Sequence, residues 1–487
     1  MGSAETYIAI DLGAGSGRVM AGRFDGERIA LEELHRFPNP GVRVVDGLHW
    51  DVLRLWEEIQ IGLRKAAADK PVSAAVDTWG VDFALLDHSG ALVGNPYHYR
   101  DARTNGLLPK VLDIVSREEI FDQTGLQFME INTLFQLYSM KNTAALDAAD
   151  AFLMMPDLFH YWLAGVKVCE YSDATTTQFY DPRKKAWAKP LLEKLGLPTH
   201  ILREVVQPGT RLGPVLPSVA EACGLSGMSV VAPASHDTGS AVAAVPASGR
   251  NWAFLSSGTW SLLGAEIPEP RVTAKALEKN FTNEGGVWGT TRLLKNICGL
   301  WLLEECRREW ALAGDRISYE ELIAAAEAAP AFRSIFDVDA PVFVAPDAMP
   351  QRIADWCSRH GQPAPRTPGE FARAIFESLA LKYRLTLDDL GEIVGERAQT
   401  LHVVGGGSQN EMLSQYAADA CGVEVVAGPV EATALGNVLV QAVGMGRVAD
   451  GAQVREIVRR SFEPKRYEPR GGRGWDEAAG RLRELLS

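Results

Sequence analysis

Tyr7–Phe24 reads YIAIDLGAGSGRVMAGRF: an apolar run closing on Asp11, a turn carrying Gly13, Gly15 and Gly17, then Arg18 and a second apolar run from Val19. Strand (7–11), small-residue turn, strand (19–24) predicts a β-hairpin whose turn can wrap a phosphate with its backbone N–H groups. Two other glycine-loop readings fail. A Walker A loop needs G-x-x-x-x-G-K-[ST], and no lysine stands here. A dinucleotide loop needs G-x-G-x-x-G opening a helix, whereas Arg18 leads into 19–22 and a charged turn at Asp25-Gly26. A lone glycine cluster also suits a plain tight hairpin. The layout returns, however, at 252–265: WAFL, then Ser256-Ser257-Gly258-Thr259-Trp260, then Ser261 to Ala265. The two stretches share architecture and not sequence, so the chain reads as two halves that open alike. Such turns suit one nucleoside triphosphate held from opposite sides.

The bulk numbers agree with a large enzyme. A chain of 487 residues is too long for one core and predicts two or three domains. With 46% hydrophobic and 23% charged residues it has ordinary globular composition. A formal charge of −13 argues against a nucleic-acid partner, which leaves a basic footprint. Phosphate must then be met by backbone geometry or a bound cation. The six cysteines (169, 223, 298, 306, 357, 421) form no C-x-x-C pair and read as reduced thiols, not a disulfide frame or zinc site. No apolar run spans a bilayer and no charged segment with an apolar core opens the chain, so neither membrane nor export is expected and the location is read as cytoplasmic.

A third stretch, 230–240, reads VVAPASHDTGS. A short apolar strand ends at Pro233, and a helix is expected from Ala241. His236, Asp237 and Thr238 thus sit where a buried strand opens into a turn, the place where open α/β sheets collect ligands. Asp237 reads as a proton acceptor for a substrate hydroxyl. An Asp before an apolar run also suits a helix cap, and these residues alone leave both open.

Elsewhere, 50–68 predicts an amphipathic helix with Leu53, Trp56, Ile59 and Leu63 on its apolar stripe. A strand at 73–76 leads into DTWGVDF and a second at 84–86, and YRDART (99–104) follows in a loop. Two carboxylates, an indole and two guanidiniums so close together suit a polyhydroxylated ligand; surface ion pairs are the plainer reading. The pattern is helical over 118–165 and loop-like over 170–180. Thr367-Pro368-Gly369-Glu370 predicts a capping box opening a helix striped with Phe371, Ile375, Leu379, Tyr383 and Leu387. Gly405-Gly406-Gly407 falls between a strand (400–404) and a helix from Glu411, letting a ligand approach the backbone closely. Residues 464–474 read as a linker before a closing helix.

In this order, IDLGAGSGRVM, DTWGVDFALLD, YRDARTNG, LMMPD, ASHDT, LSSGTWSL, TNEGG, LKNICGLWLL, VVGGGSQN and AGPVEATALGN resemble the FGGY family of carbohydrate kinases nearly end to end. The resemblance implies an α/β fold of two actin-like (ribonuclease H-like) domains of the sugar kinase/actin/chaperone ATPase superfamily, with a cleft between them, here 1–244 and 245–487. It implies transfer of the γ-phosphoryl of ATP to the 1-hydroxyl of L-rhamnulose, the combination of DTWGVDF, YRDARTNG and ASHDT being that of the rhamnulose branch. Carried over by motif, Ala14, Gly15, Ser16, Gly17 and Arg18 line the phosphates, Thr259 touches ATP, and Gly405, Gly406 and Gly407 meet the adenosine. Gly80, His236, Asp237, Thr238 and Asn296 meet the sugar, Asp237 as proton acceptor, and Asp11 helps hold Mg²⁺ through water. Glu304 departs from the glutamine the family offers there. The implied partners are the sugar and ATP, with a monomer or small homo-oligomer. Competing readings are a kinase for L-fuculose or a ketopentose, an actin- or chaperone-like ATPase, and a nicotinamide oxidoreductase.

Overall fold

A computed structural model describes residues 4–344 and 346–486. Two compact units interleave along the chain. The first comprises Met1–Pro246, Glu266–Leu294 and Glu431–Glu463; the second comprises Ala247–Ala265, Lys295–Val430 and Pro464–Ser487.

In the first unit a mixed sheet runs Thr210–Pro214, Ser229–Ala232, Ser73–Thr78, Glu5–Leu12, Ser16–Phe24, Ile29–Pro38. The opening hairpin is antiparallel, from Glu5 opposite Phe24 to Leu12 opposite Gly17. Ser73–Thr78 pairs parallel with Glu5–Leu12, and Ser229–Ala232 parallel with Ser73–Thr78. Tyr7 to Ile10 are wholly buried, as an uninterrupted apolar run must be when both sheet faces are covered. Strand parity shows what covers them. Val19 and Gly22 lie three apart on one strand and so point to opposite faces. A Cβ on Gly62 of the helix Val52–Ala66 would fall 2.4 Å from Val19, and one on Gly22 would fall 2.7 Å from Val438 of the helix Ala432–Gly444. The first helix therefore packs on one face and the late helix on the other. The second contact is closest at Gly436, where a Cβ would lie 1.8 Å from the Ser240 carbonyl oxygen.

Several expectations change here. The helix Val52–Ala66 buries Val52, Leu55, Ile59 and Leu63, while Leu53 is 62% exposed, so the buried stripe is rotated from the one expected. The stretch 118–165 is not continuously helical: Ala151–Met154 is a strand antiparallel to Phe83–Leu86, ahead of the helix Met155–Ala164. A short apolar run does not distinguish strand from helix. The supposed loop at 170–180 is buried throughout and holds a short helix, Tyr171–Ala174, and a 3₁₀ turn, Thr175–Thr177.

In the second unit the strands run in the order Trp260–Ile267, Trp252–Ser257, Thr400–Val404, Glu424–Ala427, Lys465–Tyr467. The first two form the second antiparallel hairpin, with Ser257 opposite Ser261. The helix Pro368–Val394 buries Phe371, Ile375, Leu379, Tyr383 and Leu387 as the stripe predicts. Its cap is half a capping box: Thr367 accepts from the Glu370 N–H, but Glu370 reaches the Arg366 N–H instead of Thr367. The expected linker contains a strand, Lys465–Tyr467, antiparallel to Glu424–Ala427, before the helix Arg473–Leu486. Among the described residues no helix is long and apolar enough to cross a membrane.

Candidate active site

Register alone assembles the charged end of the first unit. Arg18 pairs with Asp11 across the antiparallel hairpin, and Asp11 pairs with Asp77 across the parallel neighbour. Directly opposed residues share a face, so the three side chains form one row. Arg18 donates through Nε (2.9 Å) and Nη2 (2.7 Å) to one oxygen of Asp11, and its Nη1 pairs with Glu431. Asp77 is fully buried and accepts from Asn437 at 2.5 Å. Asn437 in turn accepts from Gln441, which accepts from Ser73. This polar ladder fastens the helix Ala432–Gly444 beneath the row. Burial, with Asp11 and Asp237 close by, pushes the Asp77 carboxyl well above the usual carboxylate range, against the opposing effect of Asn437.

The hairpin turn above the row is oriented by Asn39. Its backbone N–H donates to the Gly15 carbonyl (3.1 Å) and its side-chain amide to the Gly13 carbonyl (2.9 Å). In a trans peptide the N–H points opposite to the C=O, so the amides of Ala14 and Ser16 face away from Asn39. The turn is tight because Gly17 lies against Phe37, where a Cβ would fall 2.3 Å from the ring. Ala14 and Ser16 thus present backbone donors near the Arg18 guanidinium, a cradle suited to phosphate.

One strand further on, the Thr78 N–H donates to the Ser235 carbonyl, and Thr78 bridges His236. Asp237 therefore emerges at the same sheet end as Asp11 and Asp77. It is the first residue of the helix Asp237–Ala243, which starts earlier than expected, and His236 stands at the cap position. The cap reading of Asp237 is thereby set aside. Its Oδ1 accepts from the Thr238 N–H (2.5 Å) and hydroxyl (3.1 Å) and lies 3.3 Å from His236 Nε2. Although 31% of its side chain is exposed, the packed protein around it raises its carboxyl above the ordinary range, with His236 opposing. Such a carboxylate is suited to taking a proton.

The loop bearing these residues rests on the buried segment misread as a loop. Glu170 accepts from the Ser235 N–H (2.9 Å) and from Ser172, whose hydroxyl also accepts from the His236 N–H (3.1 Å). Burial pushes Glu170 up to about 7. Gly80 lies against Thr176 of the same segment, and the Thr176 hydroxyl accepts from the Val81 N–H. Asp82 is fully buried and accepts from Trp50 Nε1, Trp79 Nε1, the Tyr99 N–H and Gln136. It is a scaffold for the DTWGVDF strand-turn. Burial raises it to about 6. Arg103 is likewise inside, bonded to Gln136 and stacked over Tyr97 at 3.9 Å.

In the second unit the turn Ser257–Trp260 is pinned differently. The Gly258 and Thr259 carbonyls accept from the N–H groups of Leu300 and Trp301. The amides of Thr259 and Trp260 consequently face the other way. Gly405 has φ +86°, and a Cβ on Gly407 would fall 2.0 Å from Ser257 Oγ. Glycine is required there because the strand-to-helix turn lies directly on the hairpin. Gly406 has open space at its Cβ position. Asn296 is half-buried on the strand Thr291–Cys298. Glu304 is half-exposed and ion-paired with Arg307 at 3.0 Å, which offsets the charge that departs from the family pattern.

A divalent cation held by one or two carboxylates with water and phosphate fits the donors of the first unit. Asp77 Oδ1 is a buried oxygen without a hydrogen-bond partner, and Asp11 is its register neighbour. Among the described residues no three His, Cys, Asp or Glu side chains form a metal cage.

Sequence reasoning passed over Glu170, Ser172, Glu284, Arg292 and Asn437. Glu284 and Arg292 are buried and 3.2 Å apart, on the strands Thr282–Gly285 and Thr291–Cys298. A charged residue within TRLL, an otherwise strand-like run, is the signal that would have found Arg292.

Comparison with known proteins accords with this geometry. The FGGY family of carbohydrate kinases, N-terminal domain, matches residues 6–244, and its C-terminal domain matches residues 253–445. A rhamnulokinase of Bacteroides thetaiotaomicron is 45% identical over 97% of this chain and 98% of its own length. A rhamnulokinase of Pectobacterium carotovorum is 44% identical over 96% and 93%. Among solved structures, a gluconate kinase from Lactobacillus acidophilus superposes with TM-score 0.79 at 16% identity, covering 99% of this chain and 96% of that one. A xylulose kinase from Rhodospirillum rubrum gives 0.77 at 18%, covering 99% and 98%. The fold is that of the two-domain sugar kinases. With both family domains matched across most of its length, this chain belongs to the FGGY family of carbohydrate kinases.

Proposed function

We propose that this carbohydrate kinase transfers the γ-phosphoryl of ATP to the 1-hydroxyl of L-rhamnulose. The observation that carries the reading is the row Arg18–Asp11–Asp77 ending beside Asp237 at one end of the sheet. Relatives that bear the name rhamnulokinase, 40–45% identical over nearly the whole chain, support the choice of sugar.

In this reading the amides from Ala14 to Arg18 receive the phosphates. The Arg18 guanidinium, engaged by Asp11 and Glu431, contributes by holding Asp11 in place. Asp11 would help hold Mg²⁺ through water. Phosphoryl transfer has a loose transition state, so positioning and charge neutralisation do most of the work. The cation, when bound, supplies neutralisation on the phosphoryl oxygens. Gly80, His236, Thr238 and Asn296 orient the sugar, and Asp237 takes the hydroxyl proton. Thr259 and Gly405 to Gly407 receive the nucleotide. The limits of the family match favour a division at 244/245, while the segments Glu266–Leu294 and Glu431–Glu463 fold with the first unit. The enzyme acts in the cytoplasm, as a monomer or small homo-oligomer.

The test is ADP formation from ATP and Mg²⁺ with L-rhamnulose, set against L-fuculose and D-xylulose. The expected result is a kcat/KM for L-rhamnulose at least tenfold above either competitor. A preference for another ketose overturns the substrate, and phosphate release indifferent to sugar overturns the kinase reading.

A further inference from the structure

Behind Asp237 stands a buried chain of charge that the transfer step itself does not use. Arg292, wholly buried, donates through Nε to the Gly285 carbonyl (2.8 Å) and through Nη2 to the Ser172 carbonyl (3.4 Å). The same Nη2 lies 3.2 Å from His236 Nδ1 in hydrogen-bonding geometry. Glu284 Oε2 is 3.2 Å from Arg292 Nη1 and 3.2 Å from His236 Nδ1. The opposite ring nitrogen, Nε2, is 3.3 Å from Asp237 Oδ1.

A guanidinium only donates and stays charged in proteins. In its hydrogen-bonding contact with Arg292, Nδ1 offers its lone pair although the Glu284 carboxylate lies equally near, and the single imidazole proton then sits on Nε2, toward Asp237. Glu284 neutralises Arg292 and so lets a full charge sit beside a neutral ring. Asp237 Oδ1 accepts from the Thr238 N–H and the Thr238 hydroxyl, and the Nε2–H edge of His236 faces it at 3.3 Å. With Oδ1 committed, Oδ2 is the oxygen left to take the sugar proton.

We propose that Arg292, charge-balanced by Glu284, is a positioning residue that fixes His236 as the neutral Nε2–H tautomer and thereby aims Asp237 Oδ2 at the substrate hydroxyl. The proposal rests on the reading of Asp237 as the proton acceptor. No proton crosses the His236 ring: one O–H bond of the sugar breaks and one forms on Asp237, while His236 keeps its proton.

The experiment is nitrogen-15 NMR of the full chain labelled at histidine, without substrate at neutral pH, with His236→Gln for assignment. The wild type is expected to carry its His236 proton on Nε2. In Arg292→Met, Glu284 no longer faces a guanidinium beside the ring and should draw the proton to Nδ1, and kcat should fall at least about tenfold with KM for ATP within threefold, a part of the usual general-base contribution. A wild-type His236 protonated on Nδ1 or on both nitrogens overturns the proposal, even if the variant does not fold. An Arg292→Met protein that keeps the Nε2–H form also overturns it. Because the tautomer is read in the resting protein, it stands apart from the base reading: near-normal turnover in Asp237→Asn with His236 still Nε2–H removes the base and leaves the tautomer.

Discussion

The two small-residue turns, Leu12 to Arg18 in the first unit and Ser257 to Trp260 in the second, use one device for different ends. In each, a neighbour ties up two successive or near-successive carbonyls, Asn39 in one and the Leu300 and Trp301 N–H groups in the other. The peptide plane then turns the following amides outward. The surroundings differ sharply. The first turn stands over Arg18, Asp11 and buried Asp77; the second is packed by Gly299, Gly405 and Gly407 against backbone and a serine. Architecture was repeated, and chemistry was assigned by what flanks each copy. In the proposed reading, ionic residues would serve the end where a proton and a phosphoryl group move, and close-packed glycine would meet a neutral ring.

That contrast can be broken most decisively at the charged end. Asp237→Asn should lower kcat by roughly 10² to 10⁴ while sugar affinity by calorimetry stays within a few-fold. Near-normal turnover would show that the ionic region is scaffold only.

Next in size is the titration of Glu170. Its folded pKa, about 7, lies above the usual 4.5. The stability it contributes is therefore complete below 4.5 and lost as pH rises through 7, because the unfolded chain holds fewer protons across that window. Relative to Glu170→Gln, the wild type should lose roughly 3 kcal/mol of unfolding free energy over that range. Denaturant melts at several pH values read the slope, which the lost hydrogen bonds of the variant do not alter. Equal slopes would mean that burial does not govern this carboxyl.

At the glycine-packed end, Gly407→Ala should cost about 1–3 kcal/mol by overpacking on Ser257, seen as a lower Tm, and raise KM for ATP with kcat within a few-fold. A fall in kcat alone would place the two turns in the same role. The smallest effect is expected for Asn39→Ala, which frees one carbonyl of the first turn. A single hydrogen bond is worth about 0.5–1.5 kcal/mol, so nucleotide affinity by calorimetry should weaken by about two- to twelvefold.

The sequence made the hairpins, the long helix and Asp237 readable because each depends on local pattern: glycine between apolar runs, a 3.6-residue stripe, a carboxylate at a strand end. What stayed hidden depends on burial of polar residues. EYSDATTTQFY is polar enough to read as a loop, yet Glu170 and Ser172 accept from its own turns and from the Ser235 and His236 N–H groups, so these polar groups are used inside the protein. AFLM (151–154) concealed a strand because a few buried residues carry no period. KRY reads as linker, since an edge strand can afford charged side chains. Glu284 and Arg292 meet His236 only after the chain has folded, and no spacing announces that.

The helix Ala432–Gly444 has a bearing on how the protein is made. Asn437 and Gln441 complete the floor under Asp77 and Ser73, yet Asn437 leaves the ribosome 360 residues after Asp77. Until then the face of the first sheet that this helix covers lacks that cover, open to chaperones and to misassembly. A rearranged gene that encodes 431–463 ahead of residue 1 would shorten that wait.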